Sequence, residues 1–246
     1  MVLALLADIH SNLEALEACL AHARSHGASE FAFLGDLVGY GADPAAVVEI
    51  VAEHASRGAV VVKGNHDAAI SGAKSYLNDS AAMAIAWSHG MLSHGQRAFL
   101  EGLPLCVRKG ASCFVHASAA SPERWDYIDS VGAAQRSVRS AETPYTFSGH
   151  VHQQILYAQG AGERMVAFKP QPAVPIPVGV HRAWLAIAGS VGQPRDGNPA
   201  ACYALADLDA KTITFHRVAY DNFAAARKIR RAGLPEILAY RLERGA

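Results

Sequence analysis

Short apolar runs alternate with amphipathic segments from the first residue of the chain. Residues 2–7 form a continuous apolar run, the pattern of a strand covered on both faces. Asn12 then caps a predicted helix reaching about Ser25, with Leu13, Leu16, Ala18 and Leu20 among its apolar positions and Gly27 as its stop. Residues 31–34 read as a second strand. Asp43-Pro44 opens a second helix, an N-cap followed by proline at the first helical position. Residues 60–62 read as a third strand. This βαβαβ beginning predicts a parallel sheet with helices on its faces.

The remainder continues the alternation. Residues 68–103 read as helical, with Ser80 and Ser93 as caps. Residues 105–107 and 113–115 read as strands, 129–142 as a helix and 145–147 as a strand. Hairpin-like runs follow near 155–157 and 164–168. Pro170, Pro172, Pro175 and Pro177 mark a stiff loop, since residues 184–188 resume as a strand at once. Residues 203–208 and 212–218 predict a late β-hairpin. The tail, about 221–244, reads as short helices broken at Gly233-Leu234-Pro235. No repeat or linker divides the 246 residues, and one domain is expected.

Composition narrows the function classes. Hydrophobic residues make up 51% and charged residues 18%, as in a globular protein. Lys+Arg and Asp+Glu both total 22, so there is no basic field for extended nucleic acid. Cys19, Cys106, Cys113 and Cys202 form no CxxC pair and read as reduced, buried thiols of a cytoplasmic protein. The N-terminus lacks a basic flank and Asp8 interrupts its apolar run, so it reads as a strand and not a signal peptide. No apolar stretch reaches the roughly 18 residues of a membrane span. Nothing in the sequence specifies an oligomeric state.

Four polar segments stand behind four of these runs: Asp8-Ile9-His10, Gly35-Asp36, Gly64-Asn65-His66-Asp67 and Gly149-His150-Val151-His152. Asp8, Asp36 and Asn65 fall at the carboxyl ends of predicted strands, where open α/β sheets place their ligands. Mixed carboxylate oxygen and imidazole nitrogen suits divalent metals. Two metals need a bridging ligand, and the lone carboxylate of Asp36 is the natural one. Asn65 would donate a neutral amide oxygen. D-x-H is common by chance, whereas Gly64-Asn65-His66-Asp67 is a rare tetrapeptide, and the order of the four carries the weight.

With His116 in Phe114-Val115-His116-Ala117-Ser118 included, the chain resembles the calcineurin-like metallophosphoesterases. Their pattern runs D-x-H, G-D, G-N-H-[DE], a lone His, then G-H-x-H. The segment Gly189-Ser190-Val191-Gly192-Gln193-Pro194-Arg195 is similar to one in small bacterial members, relatives of diadenosine tetraphosphatases and YfcE-type phosphodiesterases. The resemblance implies an α/β fold: a four-layer α/β/β/α sandwich of two mixed sheets flanked by helices. It implies one metal on Asp8, His10, Asp36 and His152, and another on Asp36, Asn65, His116 and His150. His66 would act beside the scissile phosphate as acid or charge stabiliser, and Asp67 would orient its loop. The many imidazoles favour Mn²⁺, Fe or Zn²⁺ over a purely Mg²⁺ site. The implied reaction is in-line hydrolysis of a phosphodiester, small or nucleotide-like, without a covalent enzyme intermediate.

One departure is informative. Phosphoprotein phosphatases of this superfamily carry G-D-x-x-D-R-G, where this chain has Gly35-Asp36-Leu37-Val38-Gly39-Tyr40-Gly41. Neither the supporting Asp nor the phosphate-gripping Arg is present, so a protein phosphatase is not expected. Arg195, in a turn-rich loop, and Tyr40 are the candidate substrate contacts. His89 and His94 follow the Gly64–Asp67 segment without a clear role. His22, His26, His54, His181 and His216 read as ordinary surface or core histidines, and Trp125 and Tyr127 as core aromatics. Loops 40–43, 71–78, 117–127 and 170–181 are expected to wall the pocket. The rival readings are a nuclease of the same superfamily and a catalytically silent scaffold that binds a protein partner. The complete ligand set disfavours the second.

Overall fold

The computed structural model describes residues 1–72 and 78–246. In chain order the elements are β1 (Val2–Leu6), α1 (Leu13–Ser25), β2 (Ala28–Phe33), α2 (Pro44–Ser56), β3 (Val60–Val61), α3 (Asn65–Ile70), α4 (Asp79–Met91) and α5 (His94–Gly102). They continue with β4 (Cys106–Lys109), β5 (Ser112–Val115), α6 (Val131–Ala141), β6 (Tyr145–Ser148), β7 (Gln154–Gln159), β8 (Met165–Phe168), β9 (Ile176–Pro177) and β10 (Trp184–Ala188). The chain closes with β11 (Ala201–Asp207), β12 (Thr212–Val218), α7 (Asn222–Arg231) and α8 (Glu236–Arg244).

The strands build two mixed sheets, ordered β3-β2-β1-β11-β12-β9 and β4-β5-β6-β10-β7-β8. β1, β2 and β3 are parallel, as the opening alternation predicts, and the β11–β12 hairpin joins β1 antiparallel. In the second sheet β5, β6 and β10 are parallel, with β4 and β7 antiparallel beside them.

β1 is apolar on both faces because both are covered. Leu3, Leu5 and Ala7 point into a core shared with Phe114, Phe147, Leu156 and Ala186 of the second sheet. Ala4 and Leu6 point the other way, onto Leu16, Leu20, Val47 and Val51 of α1 and α2. On the far side, α6 lays Ala134 and Val138 against Tyr157, Leu185 and Ile187. The result is the expected α/β/β/α sandwich. Leu5 and Leu6 are fully buried on opposite faces, and truncating either to Ala would cost about 2–5 kcal/mol.

Local chemistry explains most boundaries. Asn12 accepts a hydrogen bond from Ala15 N and starts α1. Ser93 and Gln96 form a reciprocal capping box that starts α5. Two expectations need correction. The long helical stretch is broken, and α4 is capped by Asn78, whose extended backbone lets its side chain accept from Ala81 N; Ser80 lies inside the helix. The proline-rich loop contains β9, which pairs with β12 at the sheet edge, where a missing N–H is tolerated. All four cysteines are free; Cys106 is only half-buried, with its Sγ 3.4 Å from that of Cys113. No helix among the described residues is long and apolar enough to cross a membrane.

Candidate metal centre

The two sheets lift their motif segments to one end of the sandwich. Asp8 and His10 follow β1, Asp36 follows β2, Asn65 and His66 open α3 just past β3, His116 follows β5, and His150 and His152 follow β6. Backbone pairing continues beyond the strands: Asp8 N donates to Gly35 O at 3.1 Å and His10 N to Asp36 O at 2.9 Å. Asp8, His10, Asp36, His150 and His152 all adopt positive φ, between 49° and 68°. Left-handed backbone is costly for such residues and persists where the surroundings over-determine it. A side chain on Gly64 would overlap Asp36 Oδ1, so the third motif can close on the second only through glycine.

The buried polar atoms gather into overlapping groups. Asp8, His10 and His152 form one, and Asp36, His116 and His150 another, each with donor atoms within 4.8 Å of one another. A third, His10, Asp36 and His66, connects them. Asp36 Oδ2 lies 3.7 Å from His10 Nε2 and 3.4 Å from His116 Nε2, so one carboxylate reaches both sides. Its Oδ1 accepts from His66 N at 2.9 Å. Asp8 accepts from His150 N and lies 3.3 Å from His152 Nε2. Asn65 Oδ1 is buried without a hydrogen-bond partner among the described residues.

Three imidazoles are oriented by backbone carbonyls. Nδ1 of His10, His116 and His152 faces the carbonyls of Val38, Leu34 and Gln193 at 3.2, 2.7 and 2.6 Å. A carbonyl only accepts, so each Nδ1 donates to it and each ring turns its Nε2 inward. His10 Nε2 and His152 Nε2 then face each other at 3.1 Å. His116 Nε2 stands 3.0 Å from His150 Nδ1, and His150 Nε2 has no partner among the described residues. Converging ring nitrogens, an orphaned amide oxygen and a shared carboxylate are the donor set a pair of cations satisfies.

The electrostatics agree. Burial opposes charge on Asp36, but His116, His66 and His10 outweigh it and hold the carboxyl well below the usual carboxylate range. Burial likewise opposes a proton on His116, yet Asp36, with Asp8 behind it, raises that imidazole to about 9. Burial, with His116 beside it, pushes His150 down to about 3. Positive charge is demanded between Asp36, His116 and His150, and only one imidazole supplies it. Burial lowers His10 and His66 despite Asp36. Asp67 is fully buried and accepts from Gly64 N and Leu37 N at 2.9 Å each and from Val38 N at 3.3 Å, tying two motif loops together. Burial and Asp36 raise it to about 7.

A cavity of about 280 Å³ opens beside this cluster, lined in part by Asp36, Asn65, His66, His150 and His152. Tyr40 and Arg195 line it as well. Arg195 is half-buried rather than solvated: its guanidinium lies over the Tyr40 ring and reaches Tyr40 Oη and Gln193 Oε1 at 3.4 and 3.3 Å. Tyr127 also lines the cavity, stacked on His150 and 53% exposed, so it is not the core aromatic expected from the sequence. Trp125 is half-buried near His116. His89 and His94 line a different cavity, with Arg97 and Glu101. Of the four loops expected as walls, 40–43 and 117–127 contribute, through Tyr40 and Tyr127. Loop 170–181 does not, because β9 carries it to the far sheet edge, and Val180 and His181 line another cavity. Residues 73–77 of the fourth lie outside the described residues, and Asn78 reaches the cavity. The orienting carbonyls of Leu34, Val38 and Gln193 carry no side-chain signature that a sequence motif could show.

Comparison with known proteins places this arrangement. Residues 1–211 match the model of the calcineurin-like phosphoesterase superfamily domain. The uncharacterized protein MJ0912 of Methanocaldococcus jannaschii is 34% identical over 252 residues, 98% of this chain and 97% of that protein. A metallophosphoesterase from Sphaerobacter thermophilus superposes with a TM-score of 0.89 at 34% identity, each chain covered in full. The hypothetical protein PH1004 from Pyrococcus horikoshii OT3 shares the fold, with a TM-score of 0.79 at 20% identity over 100% of this chain and 98% of its own. Domain match, relatives and buried His/Asp clusters agree: the chain belongs to the calcineurin-like phosphoesterase superfamily.

Proposed function

We propose that this member of the superfamily, a hydrolase of phosphoester bonds, is a two-metal phosphodiesterase acting on a small, nucleotide-like ester. The observation that carries this is Asp36, whose single carboxylate reaches both His/Asp clusters at the floor of a small cavity. Asp8, His10, Asp36 and His152 would hold one cation, and Asp36, Asn65, His116 and His150 the other. Bound there, two divalent cations supply charge to neutralise phosphate oxygens and to lower the pKa of an attacking water. The imidazole-rich donor set suits Mn²⁺, Fe or Zn²⁺.

The chain's own residues do the remaining work. Arg195 offers a fork of N–H donors to the phosphate from the cavity wall, steadied by Tyr40 and Gln193. His66 faces the same cavity. Burial keeps its ring neutral, so it presents an N–H to the leaving oxygen as charge develops there. Asp67 acts as a positioning residue, holding the Gly64 and Leu37–Val38 backbones that place His66 and Asp36. The cavity volume of about 280 Å³ suits a small ester better than a polymer, which favours this reading over a nuclease.

Asp36→Asn tests it. The amide cannot bridge two cations with two anionic oxygens, so hydrolysis of bis-p-nitrophenyl phosphate should fall by about 10³-fold or more and bound metal should drop. Wild-type turnover in that variant would sink the two-metal reading. A panel of phosphomonoesters, cyclic nucleotides, dinucleoside polyphosphates and single-stranded DNA, with Mn²⁺ added, then identifies the ester.

A further inference from the structure

Tyr127 has no part in the chemistry described so far, yet it stands in the same cavity. The segment after His116 turns sharply at Ser121 and at Trp125, both with φ of 58°. It is then pinned by Ile128, which is 1% exposed and whose carbonyl accepts from Tyr157 Oη at 3.2 Å. With Ile128 facing inward to the α6 core, the neighbouring side chain faces outward into the cavity. The Tyr127 ring stacks on His150, centroids 4.1 Å apart and planes at 29°. It is nevertheless 53% exposed. A ring that served only to prop His150 would itself be packed on its outer side. This one keeps about half of its surface open beside the cluster.

We propose that Tyr127 is a stacking subsite for a nucleobase, which makes a nucleotide the alcohol or leaving portion of the ester. This rests on the reading of the His/Asp cluster as the phosphate site. The cavity lining divides the recognition: Arg195 and Tyr40 serve the anionic phosphate, and Tyr127 offers its ring to the base. A base–aromatic stack strengthens binding about tenfold or more, without sequence-specific contacts. Ring-free phosphates gain nothing from it.

The test is titration calorimetry on Mn²⁺-loaded protein with 5′-AMP and with inorganic phosphate. Wild type should bind 5′-AMP about tenfold more tightly than phosphate. Tyr127→Ala should erase that preference, with phosphate affinity held within about twofold and metal content unchanged, while Tyr127→Phe should keep it. Equal affinities in wild type would overturn the proposal. So would a Tyr127→Ala protein that loses phosphate binding or metal as much as 5′-AMP, since that describes a prop for His150. Because the readout is binding, it stands apart from the Asp36→Asn assay. Turnover surviving in that variant would remove the hydrolytic mechanism and leave the 5′-AMP preference to be judged on its own.

Discussion

Gly39 lies directly beneath the imidazole of His66. Its φ is +90°, a Cβ there would overlap His66 Nδ1, and Ile85 Cδ1 would stand 3.2 Å away. This gives the departure from the phosphatase pattern a steric cause: the position that elsewhere carries a supporting Asp has no room here for any side chain. His66 Nδ1 is accordingly buried without a hydrogen-bond partner among the described residues. The ring is held by packing instead, between Tyr40 at 4.6 Å and His10 at 4.8 Å. Gly39→Ala should therefore displace His66, lowering kcat by about 10–100-fold while costing about 1–3 kcal/mol of stability. A kcat unchanged in steady-state assays would mean that the ring's position is not critical. At this scale the sequence was informative where chemistry is tied to residue type. Asp8, His10, Asp36 and the rest are recognisable because carboxylates and imidazoles behind strands have few other uses. Tyr127 departs from the expectation of a core aromatic because residue type alone does not tell core from cavity wall, and only the path of the loop turns it outward.

The elements show the same division. The Asn12 cap, the proline that opens α2 and apolar spacing mark α1, α2 and the late hairpin closely, because those signals are local; Asp43, expected to cap α2, makes no capping hydrogen bond. What each helix packs against is not local. α7 and α8 place Ala226, Leu238 and Leu242 in one small core with Tyr40, Ala81 and Ala84, so the C-terminal helices buttress a wall of the cavity. Lys228 of α7 reaches Glu14 at 2.7 Å and Asp43 at 2.8 Å, fastening α7 to the starts of α1 and α2. The end of α1 packs on β12 through rings: His216 stacks on Tyr203 at 5.1 Å and meets His22 and His26 at 5.1 and 5.3 Å. Burial, then His22 and His26, pushes His216 down to about 4. An unfolded histidine takes its proton near pH 6.5. Below that pH the unfolded chain binds more protons than the native one, so stability falls from about pH 6.5 to 4 and this contribution then levels off. His216→Phe keeps a ring in place and should remove about 1–2 kcal/mol of that loss. Urea midpoints at pH 7 and pH 5 measure it; identical pH slopes in both proteins would assign the acid sensitivity elsewhere.

Across the whole molecule, the cluster draws Asp8, His10, Asp36 and Asn65 from the first sheet and His116, His150 and His152 from the second. Cations held there would staple the two sheets and coordinate the facing ring nitrogens of His10 and His152. Chelation should therefore lower Tm, and added Mn²⁺ should restore it in a concentration-dependent way, by about 2.7 kcal/mol at a hundredfold excess over Kd. A Tm indifferent to chelator and metal would separate the cluster from the stability of the sandwich. The sequence by itself determined the parallel opening of the first sheet, its late hairpin and the superfamily, and it singled out the polar residues that gather in the cluster, because apolar runs and metal-binding side chains are local properties of the chain. The tertiary structure alone decided which carbonyls orient the histidines, why position 39 must be bare and which loops wall the cavity. It also decided that Tyr127 faces the site. Those depend on how segments far apart in the chain approach one another, and close approach in three dimensions leaves no periodicity to read.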